Sequence, residues 1–149
     1  MNKPFLQKIA AFCAYQERTH NEVRERLFDW SIRGDDAEEM IVWLIENNYL
    51  NEERFAKAFA GGKFRMKNWG RIRIKHELKM KGLSDYCIKI GLAEIDENDY
   101  FESIKKMINR KANKDDFENP YLRKHKLARY IIGKGYEQQL VWRFLGEEN

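Results

Sequence analysis

Apolar residues recur along this chain at helical spacing, and the same run of spacings occurs three times. Val23, Leu27, Ser31-Ile32, Ala37 and Ile41 form the first run, and Ile74, Leu78, Gly82-Leu83, Ile88 and Leu92 the second. Leu127, Ile131, Gly135-Tyr136, Val141 and Leu145 form the third. The anchors Ser31, Gly82 and Gly135 stand 51 and 53 residues apart, and a fixed period of this size marks a tandem array. Apolar residues four apart line one face of a helix, while a glycine at the turn supplies a left-handed cap and the apolar residue after it packs back. Each repeat therefore predicts two helices. A further amphipathic segment lies upstream of each pair, over residues 5–16, 51–67 and 97–111. The fold expected is all-α: a tandem array of three three-helix units, about nine helices, elongated and curved, with units over residues 1–50, 51–95 and 96–149.

Helix starts agree with this division. Thr19 with Glu22 reads as a capping box, Asn51, Ser84 and Asp96 read as N-caps, and Asn119-Pro120 places proline at the first helical position. Residues 112–119, ANKDDFEN, read as a linker. Gly61-Gly62 interrupts the fourth helix at about 1 kcal/mol per glycine relative to alanine. Gly62 falls beside the Phe55, Phe59, Met66 stripe, where a missing side chain would admit a neighbouring helix.

Composition supports a folded chain, with 43% apolar and 13% aromatic residues in 149. Two prolines and sparse glycine favour helices. The net charge of +4 is unevenly spread: residues 1–50 carry 6 basic and 9 acidic side chains, residues 51–92 carry 11 and 4, and residues 93–149 carry 11 and 11. A local excess of this kind is how a binding footprint differs from a uniformly basic protein. Cys13 and Cys87 occupy apolar helical positions without metal or redox spacing, which points to core thiols in a reducing cytosol. The first twenty residues, broken by Lys8, fit an amphipathic helix with Phe5, Ile9 and Phe12 on one side better than a leader, and no stretch is long enough to span a bilayer.

The basic excess concentrates in KFRMKNWGRIRIKHELKMKG, residues 63–82. Arg71, Lys75 and Lys79 stand at i, i+4 and i+8 and form one ladder beside Ile74 and Leu78. Glu77 can pair with Arg73 and Lys81, but no acid lies three or four residues from any ladder member. Repeat geometry does not require the ladder, since the matching positions are His20, Arg24 and Phe28 in the first unit and Lys124, Ala128 and Ile132 in the third. Lys63, Arg65 and Lys67 flank it. A second, weaker cluster comprises Arg123, Lys124, Lys126, Arg129 and Lys134; curvature of the array would let both clusters line one groove. Trp69, in the turn between Asn68 and Gly70, has two readings: stacking on a base or a partner side chain, or docking beneath its own loop. An ordinary solvated basic face remains the plain alternative.

Catalytic signals are poor. His20, His76 and His125 lack partners at ligand spacing, the paired acids sit at helix starts or in the linker, and neither a phosphate-binding glycine loop nor a nucleophile elbow occurs. The expectation is a protein that is not an enzyme and needs no metal or cofactor.

Asn48-Tyr49-Leu50-Asn51-Glu52-Glu53-Arg54-Phe55-Ala56, followed by Gly70-Arg71-Ile72 and by Glu77-Leu78 through Lys81-Gly82-Leu83, resembles the central segment of the RecX family, bacterial regulators of the RecA recombinase. The resemblance extends over nearly the whole chain, although Ser31 stands where a turn glycine is usual. It implies an elongated helical protein lying in the groove of the RecA filament on single-stranded DNA. It implies inhibition of RecA ATPase, strand exchange and the coprotease activity that drives the SOS response. On that reading Arg71, Lys75 and Lys79 supply the contact, with Lys63, Arg65, Lys67, Trp69, Arg73, Lys81, Arg123, Lys124 and Lys126 around them. The partners implied are the RecA nucleoprotein filament and single-stranded DNA, touched directly or through RecA; the repeat design lets a monomer bury its stripes. Two other classes stay open. Three-helix units resemble helix-turn-helix domains, so a stand-alone helical DNA-binding protein is one. A helical protein-protein adaptor is the other.

Overall fold

A computed structural model describes residues 1–114 and 119–147. The described residues form nine helices: α1 (Lys3–Tyr15), α2 (His20–Asp29), α3 (Asp35–Glu46), α4 (Glu52–Lys67), α5 (Arg71–Met80), α6 (Asp85–Leu92), α7 (Glu97–Lys114), α8 (Pro120–Gly133) and α9 (Gln138–Glu147). They are arranged as tandem three-helix units in an elongated, curved array. Of the linker expected over 112–119, residues 112–114 continue α7 and residues 115–118 lie outside the described residues.

Local chemistry starts most of these helices, although α3 and α5 begin at Gly34 and Gly70 with no side-chain cap. The Thr19 hydroxyl accepts from Glu22 N–H at 3.0 Å and the Glu22 carboxylate accepts from Thr19 N–H at 2.8 Å, closing the capping box. Asn51, Ser84, Asp96 and Asn119 cap α4, α6, α7 and α8 in turn through their side-chain oxygens. The three anchors also act alike. Ser31, Gly82 and Gly135 adopt φ values of 63°, 86° and 102°. Ile32 N–H returns to the Leu27 carbonyl, and Leu83 N–H to that of Leu78, which closes the helix ends. Ser31 takes a left-handed conformation that costs a non-glycine residue roughly 1–2 kcal/mol.

Gly62 does not admit a helix: nothing stands within 4 Å of the position a Cβ would take there. The close approach is made instead by Gly91 of α6, where a Cβ would stand 2.7 Å from the carbonyl oxygen of Ala56 on α4. The apolar interior is divided in two. Ile9, Val23, Leu27, Met40 and Leu44 belong to a core closed within α1–α3 and Leu50, whereas α4–α9 share a second one that runs from Phe55 to Leu145.

The two unit junctions differ accordingly. Between the second and third units the backbones touch: Gly70 N–H donates to the Lys134 carbonyl and Ile72 N–H to that of Gly135, both at 2.9 Å. The buried rings of Tyr100 and Tyr136 stack there at 4.9 Å. Between the first and second units the links are polar. Arg54 Nε meets Glu17 at 2.6 Å, His20 N–H donates to Glu52 at 3.0 Å, and the Asn21 amide reaches the Lys81 carbonyl at 3.5 Å.

Candidate polyanion-binding surface

Phe55 and Phe59, four apart on α4, stack at 5.8 Å, and Trp69 meets Phe59 edge-on at 6.2 Å. The turn that brings Trp69 there depends on Asn68, which ends α4 in the left-handed conformation. Trp69 is thus half-buried beneath its own loop, packed on the shared core of the second and third units. Of its two expected readings, the local plug describes its contacts.

This aromatic row carries the cations. Lys81 Nζ lies 5.5 Å from the centre of the Phe59 ring, Lys63 Nζ lies 4.9 Å from Trp69, and the Arg73 guanidinium lies 4.2 Å from the same indole. Contacts of this kind contribute about 0.5–1 kcal/mol each at exposed sites, and they do so without cancelling the charge. Arg73 and Lys81, which spacing offers to Glu77, turn to the rings instead; Glu77 makes no ion pair among the described residues.

The ladder is shorter than its spacing suggests. Arg71 departs from it: its Nε stands 2.8 Å from Glu137 Oε2, and its guanidinium lies 4.1 Å from the centre of the Tyr100 ring. The Nε–H is not aligned for a hydrogen bond, so the contact is an ion pair held by charge. The Tyr100 hydroxyl donates to Glu137 at 2.5 Å and accepts from the Arg71 backbone N–H at 2.9 Å. Burial, and then this hydrogen bond to a carboxylate, hold the Tyr100 hydroxyl well above the ordinary phenol range. Arg71 is therefore neutralised from the third unit and works as a joint. Lys75 is exposed with no ion pair among the described residues. Lys79 comes within 3.9 Å of Asp85, but both side chains are exposed and the pair is worth little.

The remaining candidates divide between two places. Arg65 and Lys67 are exposed in the last turn of α4, and the Lys67 carbonyl accepts from Lys134 Nζ at 3.2 Å. Lys134 thereby joins the basic region of the second unit. Arg123, Lys124 and Lys126 occupy the opposite end of α8, roughly 15 Å away along the helix at 1.5 Å per residue. Sequence reasoning missed Tyr100 and Glu137, whose contacts with Arg71 span 29 and 66 positions and leave no local signal. Ile72, Met66 and Met80 lie exposed among the cations, a combination more typical of protein interfaces than of phosphate tracks. Among the described residues no group of three or more His, Cys, Asp or Glu could hold a metal, and no helix is long and apolar enough to cross a membrane.

Comparison with known proteins gives consistent results. Residues 51–92 match a family model described as RecX, second three-helix domain. The regulatory protein RecX of Clostridium perfringens strain 13 is 31% identical over 122 residues, covering 80% of this chain and 57% of that protein. The regulatory protein RecX of Salmonella paratyphi A is 27% identical over 151 residues, covering 93% and 89% respectively. The chain thus spans little more than half the length of the clostridial relatives. The crystal structure of RecX from Lactobacillus salivarius superposes with a TM-score of 0.85 at 21% identity, covering 95% of this chain and 92% of that one, a likeness of fold.

Proposed function

The chain belongs to the RecX family of regulatory proteins, and from that premise we propose that it binds the RecA filament on single-stranded DNA and restrains it, inhibiting ATP hydrolysis, strand exchange and coprotease activity. The observation that carries this reading is the row of Phe55, Phe59 and Trp69 with Lys81, Lys63 and Arg73 held over its rings. Cations fixed by rings keep their charge for a partner, whereas cations fixed by carboxylates do not. Lys75 extends the same positive region along α5, and Arg71 supports it from beneath by locking α5 to the third unit. A regularly spaced polyanion, either the acidic groove of a filament or its phosphates, is the matching partner.

The test replaces Lys63, Arg73 and Lys75 by Gln. The variant is expected to need on the order of tenfold more protein to halve RecA ATP hydrolysis on single-stranded DNA, with its melting temperature lowered by only a few degrees through loss of the ring contacts of Lys63 and Arg73. Undiminished inhibition would remove these residues from the surface. Tight binding to naked DNA, with a salt slope near 0.7 per phosphate neutralised and no effect on RecA, would instead identify a stand-alone DNA-binding protein.

A further inference from the structure

A second cleft, of about 270 Å3, lies between the end of α4 and one face of α7. Its floor is Phe64 and Met107, and its walls carry charges of both signs in separate places. Asp99 and Glu102 line the early turns of α7, Lys106 and Arg110 the later ones, and Arg65 joins from α4. Positions 99, 102, 103, 106 and 110 follow helical spacing, so α7 presents them along one stripe. Arg65, Asp99, Lys106 and Arg110 make no ion pair among the described residues, and Glu102 reaches Lys105 only at 3.7 Å with both side chains exposed. The cleft is therefore a lined groove with two uncompensated ends.

Resting on the regulator reading above, we infer that this α4–α7 groove takes a polypeptide segment of the filament protein bearing a cation and a carboxylate some two to three helical turns apart, and not the DNA strand. Asp99 and Arg110 lie about 16 Å apart along α7. Nucleic acid carries a phosphate about every 3.4 Å of each duplex strand. A strand laid along this face therefore brings phosphates beside Asp99 and Glu102 as well as beside Lys106 and Arg110, and gains at one end what it loses at the other. A two-signed polypeptide gains at both. The apolar floor also gives such a segment somewhere to bury an aliphatic side chain, which a phosphate backbone cannot use.

Two charge reversals test this, Asp99→Lys with Glu102→Lys, and Lys106→Glu with Arg110→Glu. The readouts are the protein concentration that halves RecA ATP hydrolysis on single-stranded DNA and, without RecA, the anisotropy of a labelled oligothymidine. Both variants are expected to require about tenfold more protein, and the acid reversal is expected to leave oligothymidine affinity unchanged although it adds positive charge. Asp99→Asn with Glu102→Gln is run beside it, because lysines in the first turns of α7 oppose the helix dipole; loss of inhibition by this milder pair at an unchanged melting temperature supports the groove. Acid reversal that leaves inhibition intact or improves it overturns the inference, and improvement accompanied by tighter oligothymidine binding assigns the groove to DNA. Failure of the unaltered protein to inhibit RecA ends the regulator reading and this inference with it.

Discussion

Cys13 shows how far burial alone sets the chemistry of a residue. It sits 4% exposed in the core of the first unit, and desolvation pushes its thiol up to about 11. The folded state binds this proton more tightly than the unfolded chain does, so the stabilisation is complete below about pH 9 and is lost as pH rises toward 11. At about 1.36 kcal/mol per pH unit the loss is a few kcal/mol. Thermal melts between pH 8 and 11 should show it, and Cys13→Ala should flatten the dependence. Cys87, half-exposed on α6, should react with a thiol reagent well before Cys13. Burial was legible for Cys13 because its helical stripe is local. The environment of Arg71 was not, since no reading of α5 alone finds a carboxylate 66 positions away. Trp69 is intermediate: its loop position is visible in the sequence, but its docking on Phe59 is decided by the turn at Asn68.

Among helices, the elements read from spacing are those whose causes lie within a few residues. The capping box at Thr19 and the left-handed anchors at Ser31, Gly82 and Gly135 are of this kind. Helix-to-helix approach is not, and the two glycines Gly62 and Gly91 make the point. Both are small residues on helices, yet only Gly91 faces a neighbouring backbone. Gly62→Ala should raise stability by about 0.5–1 kcal/mol, because it removes backbone entropy from the unfolded chain and meets nothing in the folded one. Gly91→Ala should lower it by about 1–3 kcal/mol through forced separation of α4 and α6. Denaturant titrations of the two variants measure both; a common sign would contradict this account of the α4–α6 contact. Gly135 is constrained more tightly still, since its φ is 102° and a Cβ would meet the Arg73 backbone nitrogen at 2.8 Å.

At the scale of the whole molecule, three similar units do not make three similar bodies. The second and third share a core and a backbone contact, while the first keeps its own interior and meets α4 through Glu17–Arg54 and His20–Glu52. A unit of about fifty residues buries a smaller fraction of its surface than a larger domain does and is marginal alone, and ion pairs at a solvent-accessible junction weaken with salt. Amide exchange in α1–α3 should therefore open at lower free energy than in α4–α9, and Arg54→Gln should widen the difference by destabilising only the first block. A single, uniform level of protection across all nine helices would refute this division. The same division orders events during synthesis. The first block has all its apolar partners once residue 50 has left the ribosome, and it can close at once. The second block cannot: Phe64 waits for Tyr100, and the Gly70 and Ile72 N–H groups wait for the carbonyls of Lys134 and Gly135, so a nascent chain halted near residue 95 would display an unfinished interior to the chaperones around it.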